Sequence, residues 1–191
     1  MPHIHGSRRL QRNCAAVVML AALAAGCGST NATEARLVAG ASVATDFSTL
    51  ADATFEAFLD AAPGVAACIG EVRLEAATSL PDAAHYTPTT RTVTVRVPAT
   101  APNLSDSLVH ELAHHLEAAC RSHLDLRDAF LQAQGLDPGS PWFDGASWEQ
   151  TPSEQFAEAV VLVVLERRRR NVGGVAITPE ARAVVADWLA G

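Results

Sequence analysis

In five segments of the chain, apolar side chains recur at the three- and four-residue spacing of an amphipathic helix. We predict helices over Asp46–Ala62, residues 104–121, Leu124–Gln134, Thr151–Arg169 and Thr178–Leu189. Glycine follows the first and third of these segments, and a Thr-Pro pair opens the last two. Both are typical of helix boundaries, because glycine tolerates the turn after a helix and proline fits its first position.

Two shorter stretches alternate apolar and polar residues, which indicates half-buried β-strands. One lies within Val65–Ala76, and the clearer one is Arg91–Val97, with its valines on one face. Residues 77–90 are polar and contain two prolines, so we predict a loop there. The fold class that follows is α+β: a mostly helical domain with a small β-sheet preceding the helix at residues 104–121.

The N-terminus has the three parts of a secretory signal. A basic region with Arg8, Arg9 and Arg12 precedes the apolar run Cys14–Ala25, and Leu23–Cys27 forms a small-residue cleavage site. The segment resembles a bacterial lipoprotein signal, which implies a lipid on Cys27. We therefore expect export to the outer face of the cell membrane as a lipoprotein, or secretion. The alternative is an uncleaved membrane anchor.

We divide the chain into a signal at 1–26, a flexible tether at 27–44 and one domain at 45–191. The chain has no lysine, and without the signal it keeps 11 arginines against 21 acidic residues, a formal charge near −10. Such a charge argues against nucleic acid or anionic lipid as a partner.

Four cysteines occur in the chain. Cys14 would leave with the signal and Cys27 would carry lipid, so Cys68 and Cys120 remain. An even pair in an exported domain predicts a disulfide. The other possibilities are two buried free thiols or thiolate metal ligands.

The helix at residues 104–121 contains the sequence His110-Glu111-Leu-Ala-His114. Residues four apart lie one turn apart on the same helix face, so both imidazoles can reach one metal ion. Glu111 follows the first ligand and can take a proton from a metal-bound water. Alternatively, the histidines are hydrogen-bonded core residues of a structural helix.

A catalytic zinc site usually has a third protein ligand. His115, His123 and Cys120 lie off the ligand face or too far along the chain, which leaves Glu154 and Glu158. Either carboxylate could bind the ion, since Glu154 could instead be the acid of a capping box.

The paired motifs His-Glu-x-x-His and Glu154-x-x-x-Glu158 resemble the gluzincin branch of the zincin metallopeptidases. The run Glu-Gln-Phe-Ala-Glu-Ala is also similar to the zinc helix of the anthrax lethal factor catalytic domain. The resemblance, limited to these two helices, implies that Glu154 binds zinc. It also implies that Glu158 accepts a hydrogen bond from a histidine ligand.

The lethal factor carries a tyrosine shortly before this helix, where the present chain has Ser147 and Trp148. The best substitutes for this oxyanion-stabilising residue are His85 and Tyr86, followed by His123. Trp142, Phe143 and Trp148 also lie in the preceding loop, either as a lid or substrate wall or as a plug between helices.

We expect an exported zinc-dependent metallopeptidase in which Zn²⁺ is bound by His110, His114 and Glu154. The zinc lowers the pKa of its water to about 7, and Glu111 removes the proton and passes it to the leaving amine. The expected partner is a peptide or protein substrate, which could add to a sheet edge at Arg91–Val97, and the chain is expected to act as a monomer. The alternative is a non-catalytic zincin-like lipoprotein that binds a peptide or protein.

Overall fold

A computed structural model describes residues 34–167 and 175–191 of the chain. The predicted signal and Cys27, the predicted site of lipidation, lie outside the described residues. Within the described ranges, no helix combines the length and the apolar character that crossing a membrane requires.

The described elements confirm the α+β class. In chain order they are β1 Arg36–Ala39, α1 Thr45–Ala61, α2 Ala66–Ile69, β2 Glu71–Ala77, β3 Ala84–Thr87, β4 Thr92–Arg96, α3 Ala101–Ala119, α4 His123–Gln134, a 3₁₀ turn at Trp148–Gln150, α5 Pro152–Leu165 and α6 Pro179–Ala190.

The four strands form one mixed sheet in the order β1-β2-β4-β3. β1 and β4 both pair with β2 in parallel, whereas β3 pairs with β4 antiparallel, with Tyr86 opposite Val93. The buried side chains of β2 and β4 are Val72, Leu74, Val93 and Val95. Because β4 pairs with β2 on one side and with β3 on the other, it lies inside the sheet, and the edge strands are β1 and β3 instead of the predicted Arg91–Val97.

Helix α3 lies at the centre of the helical layer. It packs against β3 and β4 on one side and against α1 and α5 on others. Its apolar residues Leu108, Leu112 and Leu116 are fully buried, as the helical spacing predicts. Because neighbours cover so much of α3, its polar residues His110 and Glu111 are also buried, at 4% and 7% exposed.

Three boundaries of the sheet region differ from the sequence predictions. Arg36–Ala39 is a paired strand, so it is not part of a flexible tether. Cys68 lies in the short helix α2, and the strand begins only at Glu71, after Gly70 turns the chain with φ 62°. The predicted loop at 77–90 contains β3. Strands of four residues are too short for alternation to be distinguished from a loop.

Two helix ends also differ. α3 begins at Ala101, three residues before the predicted start, with Thr100 as its N-cap and a proline in the first turn. α5 ends at Leu165 instead of near Arg169, because Glu166 adopts the left-handed conformation with φ 52°. That conformation ends the helix regardless of side-chain pattern.

A disulfide joins Cys68 in α2 to Cys120, directly after α3, with 5.3 Å between their Cα atoms. This is the pair that the cysteine count predicts. It attaches the C-terminal end of the central helix to α2, the short helix that precedes β2.

Replacing Cys68 and Cys120 with serine should lower the free energy of unfolding by about 2–4 kcal/mol, since the bond closes a long loop in the unfolded chain. Urea unfolding of the oxidised protein and of the double variant, each with and without reductant, measures the difference. Equal urea midpoints for the wild type and the double variant without reductant would contradict the prediction. Reductant should lower the midpoint of the wild type only.

Candidate metal centre

Three potential ligand atoms from α3 and α5 converge on one point. The Nε2 atoms of His110 and His114 are 3.2 Å apart. Glu154 Oε2 lies 3.0 Å from Nε2 of His110 and 3.5 Å from Nε2 of His114. In the described part of the chain, these three residues form the group of histidines, cysteines and carboxylates that could hold a metal ion.

The spacing of this group fits a tetrahedral zinc site. Zinc binds imidazole nitrogen and carboxylate oxygen at about 2.0–2.2 Å, so neighbouring ligand atoms of a tetrahedron lie about 3.3–3.6 Å apart. The three observed distances lie close to that range. Two neutral imidazoles and one carboxylate, with room for a fourth ligand, are a donor set that catalytic zinc accepts.

The far nitrogens of both histidines bind carboxylates. His110 Nδ1 lies 2.9 Å from Glu158 Oε1, and His114 Nδ1 lies 2.7 Å from Glu117 Oε2. When each Nδ1 donates its proton to a carboxylate, each Nε2 is left with a lone pair that faces the common point. The carboxylates therefore set the tautomer that metal binding requires.

The two carboxylates of α5 are thus in different positions. Glu154 points at the Nε2 atoms, and its helix begins without a side-chain cap from Thr151. Glu158, one turn further, makes the contact that the resemblance implied for it. Of the two alternatives left open by the sequence, the geometry favours Glu154 as the third ligand.

Glu117 is a site residue that sequence reasoning missed. Its spacing was the available signal, because a residue three positions after His114 on a helix can contact the far nitrogen of that ring.

The electrostatics of the centre favour positive charge between the ligands. Burial alone lowers the pKa of His110, but its hydrogen bonds with Glu154 and Glu158 outweigh burial and raise it. Burial acts likewise on His114, where Glu117 and Glu154 raise the pKa to about 10. Burial alone raises the pKa of Glu154, yet the two histidines hold it well below its usual range.

Glu111 lies beside this group, at the wall of the same cleft. Burial raises the pKa of its carboxyl group, against the opposing charges of His110, His114 and His85. A carboxylate with a raised pKa is a better proton acceptor near neutral pH than an ordinary one. Among the described residues, Glu111 does not belong to the three whose ligand atoms converge.

The ligand group opens into a cleft of about 1020 Å³. One wall is β3, a second is the face of α3 between Asn103 and Ala118, and a third is formed by Phe143 and Trp148. The ring of Trp148 stacks on His110 with centroids 5.9 Å apart and 24° between planes. The cleft is large enough for a short peptide segment.

The three aromatic residues before α5 divide between the two predicted roles. Trp142 is 6% exposed and packs against Phe130 and Phe156, so it fills the space between helices. Phe143 is 66% exposed and Trp148 39%, and both line the cleft. One loop therefore supplies both a buried anchor and a cleft wall.

The three candidates for stabilising an oxyanion lie in different surroundings. Tyr86 lines the cleft, but its hydroxyl lies 2.7 Å from His115 Nδ1, and His115 Nε2 lies 2.8 Å from the carbonyl of Ile69. Since His115 donates to that carbonyl, the Tyr86 hydroxyl donates to His115, and this does not support the role predicted for Tyr86. The contact instead ties β3 to α3.

His123 is fully buried among Trp142, Phe156 and Trp188, away from the cleft. The structure therefore does not place it where a substrate could reach it. His85 is exposed on β3 and lines the cleft near Glu111. His85 and Tyr86 both line the cleft, but the Tyr86 hydroxyl is hydrogen-bonded to His115, so the geometry favours His85 among the three candidates.

Searches of protein families, curated proteins and solved structures found no match to this chain.

Protons and a metal ion should compete for the two Nε2 atoms. Because the pKa of His114 is raised to about 10, its ring keeps a proton at neutral pH that zinc must displace. We expect zinc affinity to rise about tenfold per pH unit between about pH 6.5 and 8.5. Calorimetric titration in buffers of different ionisation enthalpy measures both the affinity and the protons released.

Histidines with an ordinary pKa near 6.5 would give a different result, because they are already deprotonated above pH 7. An affinity that is constant from pH 7 to 8.5, with no proton release, would contradict the electrostatic description of the centre.

Proposed function

We propose that the chain is a zinc-dependent peptidase. The observation that carries the proposal is the convergence of His110, His114 and Glu154 on one point, with Glu111 at the wall of the cleft beside them. A purely structural zinc site is usually closed by four protein ligands. Three ligands in an open cleft, with a buried carboxylate alongside, suit hydrolysis.

The sheet edge beside the cleft supports a peptide as the substrate. Within the described residues, β3 pairs with β4 on one side, and no strand pairs with its other side. The antiparallel register directs the backbone groups of Ala84 and Tyr86 away from β4, along a wall of the cleft. An extended peptide can bind such an edge through main-chain hydrogen bonds.

Each residue of the centre has a distinct part in this proposal. A bound zinc ion supplies a Lewis acid that polarises the substrate carbonyl and acidifies water. His110, His114 and Glu154 would hold the ion, and Glu117 and Glu158 orient the two imidazoles. Glu111 accepts the proton of the attacking water and delivers it to the leaving amine.

Stabilisation of the oxyanion is the least complete part of the site. His85 is the favoured candidate, since the hydroxyl of Tyr86 donates to His115. Tyr86 is the only tyrosine of the chain, and its hydroxyl is hydrogen-bonded to His115 and not directed at a substrate. This favours the second candidate function, a non-catalytic protein that binds a peptide at the same cleft. Under that alternative the zinc is structural or absent.

Changing Glu111 to glutamine tests the proposal, because an amide of the same shape cannot accept the proton. We expect kcat to fall by roughly 10²–10⁴-fold, with one zinc per chain in both proteins. Activity is measured on a mixed peptide library read by mass spectrometry. Glu56→Gln, the same change at an exposed position of α1, is the matched control and should keep full activity.

Cleavage by wild type and Glu56→Gln but not by Glu111→Gln would support the peptidase. Stoichiometric zinc without cleavage by any of the three would favour the binding protein. Absence of zinc from all of them would overturn the ligand assignment.

A further inference from the structure

The carboxylate of Glu117 joins three separate parts of the fold. Its side chain is 3% exposed. His114 Nδ1 lies 2.7 Å from one oxygen, and Trp142 Nε1 donates to the other at 2.7 Å. Ser153 Oγ, at the start of α5, lies 2.8 Å from both oxygens. One buried anion therefore contacts a metal-ligand candidate, a loop and a second helix.

A carboxylate this deeply buried is costly unless its oxygens accept hydrogen bonds. Here the three donors are His114, Trp142 and Ser153. Because they share one carboxylate, the position of each depends on the other two. If Trp142 moves, Glu117 loses a donor and is free to shift, and the ring of His114 loses a fixed partner. The contacts thus transmit displacement from the loop to the ligand.

Trp142 is also the anchor of the loop at residues 135–151, here called the aromatic loop. Its indole nitrogen donates to Glu117, and its carbonyl accepts the backbone N–H of Ser153 at 2.9 Å. The next residue, Phe143, lines the cleft. The placement of this cleft wall accordingly depends on the contact between Trp142 and Glu117.

We propose that Glu117 is a positioning residue that couples the metal ligand His114 to the aromatic loop. An ion bound at Nε2 fixes the orientation of the His114 ring, so its Nδ1–H stays directed at Glu117, and this holds Glu117 and, through it, Trp142 in place. The coupling is reciprocal, so an anchored loop also strengthens ion binding. The inference rests on the metal site of the proposed function and is independent of peptidase activity.

Zinc affinity, measured by competition with a chromophoric chelator, tests the coupling in the full-length wild type and four full-length variants. We expect Glu117→Gln to weaken zinc binding about 10–100-fold. Trp142→Phe, which removes the indole donor, should weaken it about 3–10-fold. Added to Glu117→Gln, it should have no further effect, because the indole acts through Glu117. Trp188→Phe is the matched control, since Trp188 packs on Phe156 without contacting Glu117.

Loop placement supplies a second readout. Chymotrypsin can cleave after the exposed Phe143, and saturating zinc should slow this cleavage several-fold in the wild type and in Trp188→Phe. Zinc at saturation should give no protection in Glu117→Gln. If Glu117→Gln does not fold, the comparison of zinc affinity between Trp142→Phe and Trp188→Phe decides the result.

Wild-type zinc affinity in Trp142→Phe, or equal weakening in Trp188→Phe, would overturn the coupling while leaving the proposed metal site intact. A wild-type protein that binds no zinc would overturn both. Weakening confined to the changes at Glu117 and Trp142, with loss of zinc protection in Glu117→Gln, is the result that the proposal expects.

Discussion

The packing of α3 against α5 is the constraint on which the candidate site depends. His110 and His114 lie on the central helix, whereas Glu154 and Glu158 lie on a helix more than thirty residues later in the chain. The two helices contact each other closely, and this brings both carboxylates onto the imidazoles. A change in the rotation of either helix would separate the ligand atoms, since each ligand set occupies a single helix face.

The same packing gathers several carboxylates around the two imidazoles. Glu111, Glu117, Glu154 and Glu158 surround two imidazoles in a largely buried region. Buried carboxylates are costly without hydrogen bonds or positive charge. The raised pKa of both histidines and the depressed pKa of Glu154 are the response of the protein to this cost. A divalent ion, if bound as proposed, would supply positive charge at the same point.

Much of this arrangement could be predicted from local patterns. Residues four apart share a helix face, so the sequence predicts that His110 lies beside His114 and that Glu154 lies beside Glu158. The helices and the strand β4 followed from periodicity, and Cys68 and Cys120 from counting. Contacts between distant segments could not be predicted this way. Nothing in the sequence indicates that Tyr86 donates to His115, or that Trp142 and Ser153 meet Glu117.

The central claim is that His110, His114 and Glu154 bind one ion. The most direct measurement is an anomalous difference map, recorded at the zinc absorption edge, from crystals grown with equimolar zinc. The account predicts one peak about 2.0–2.2 Å from Nε2 of both histidines and from a carboxylate oxygen of Glu154. A peak at another set of residues, or no peak in the cleft, would contradict it.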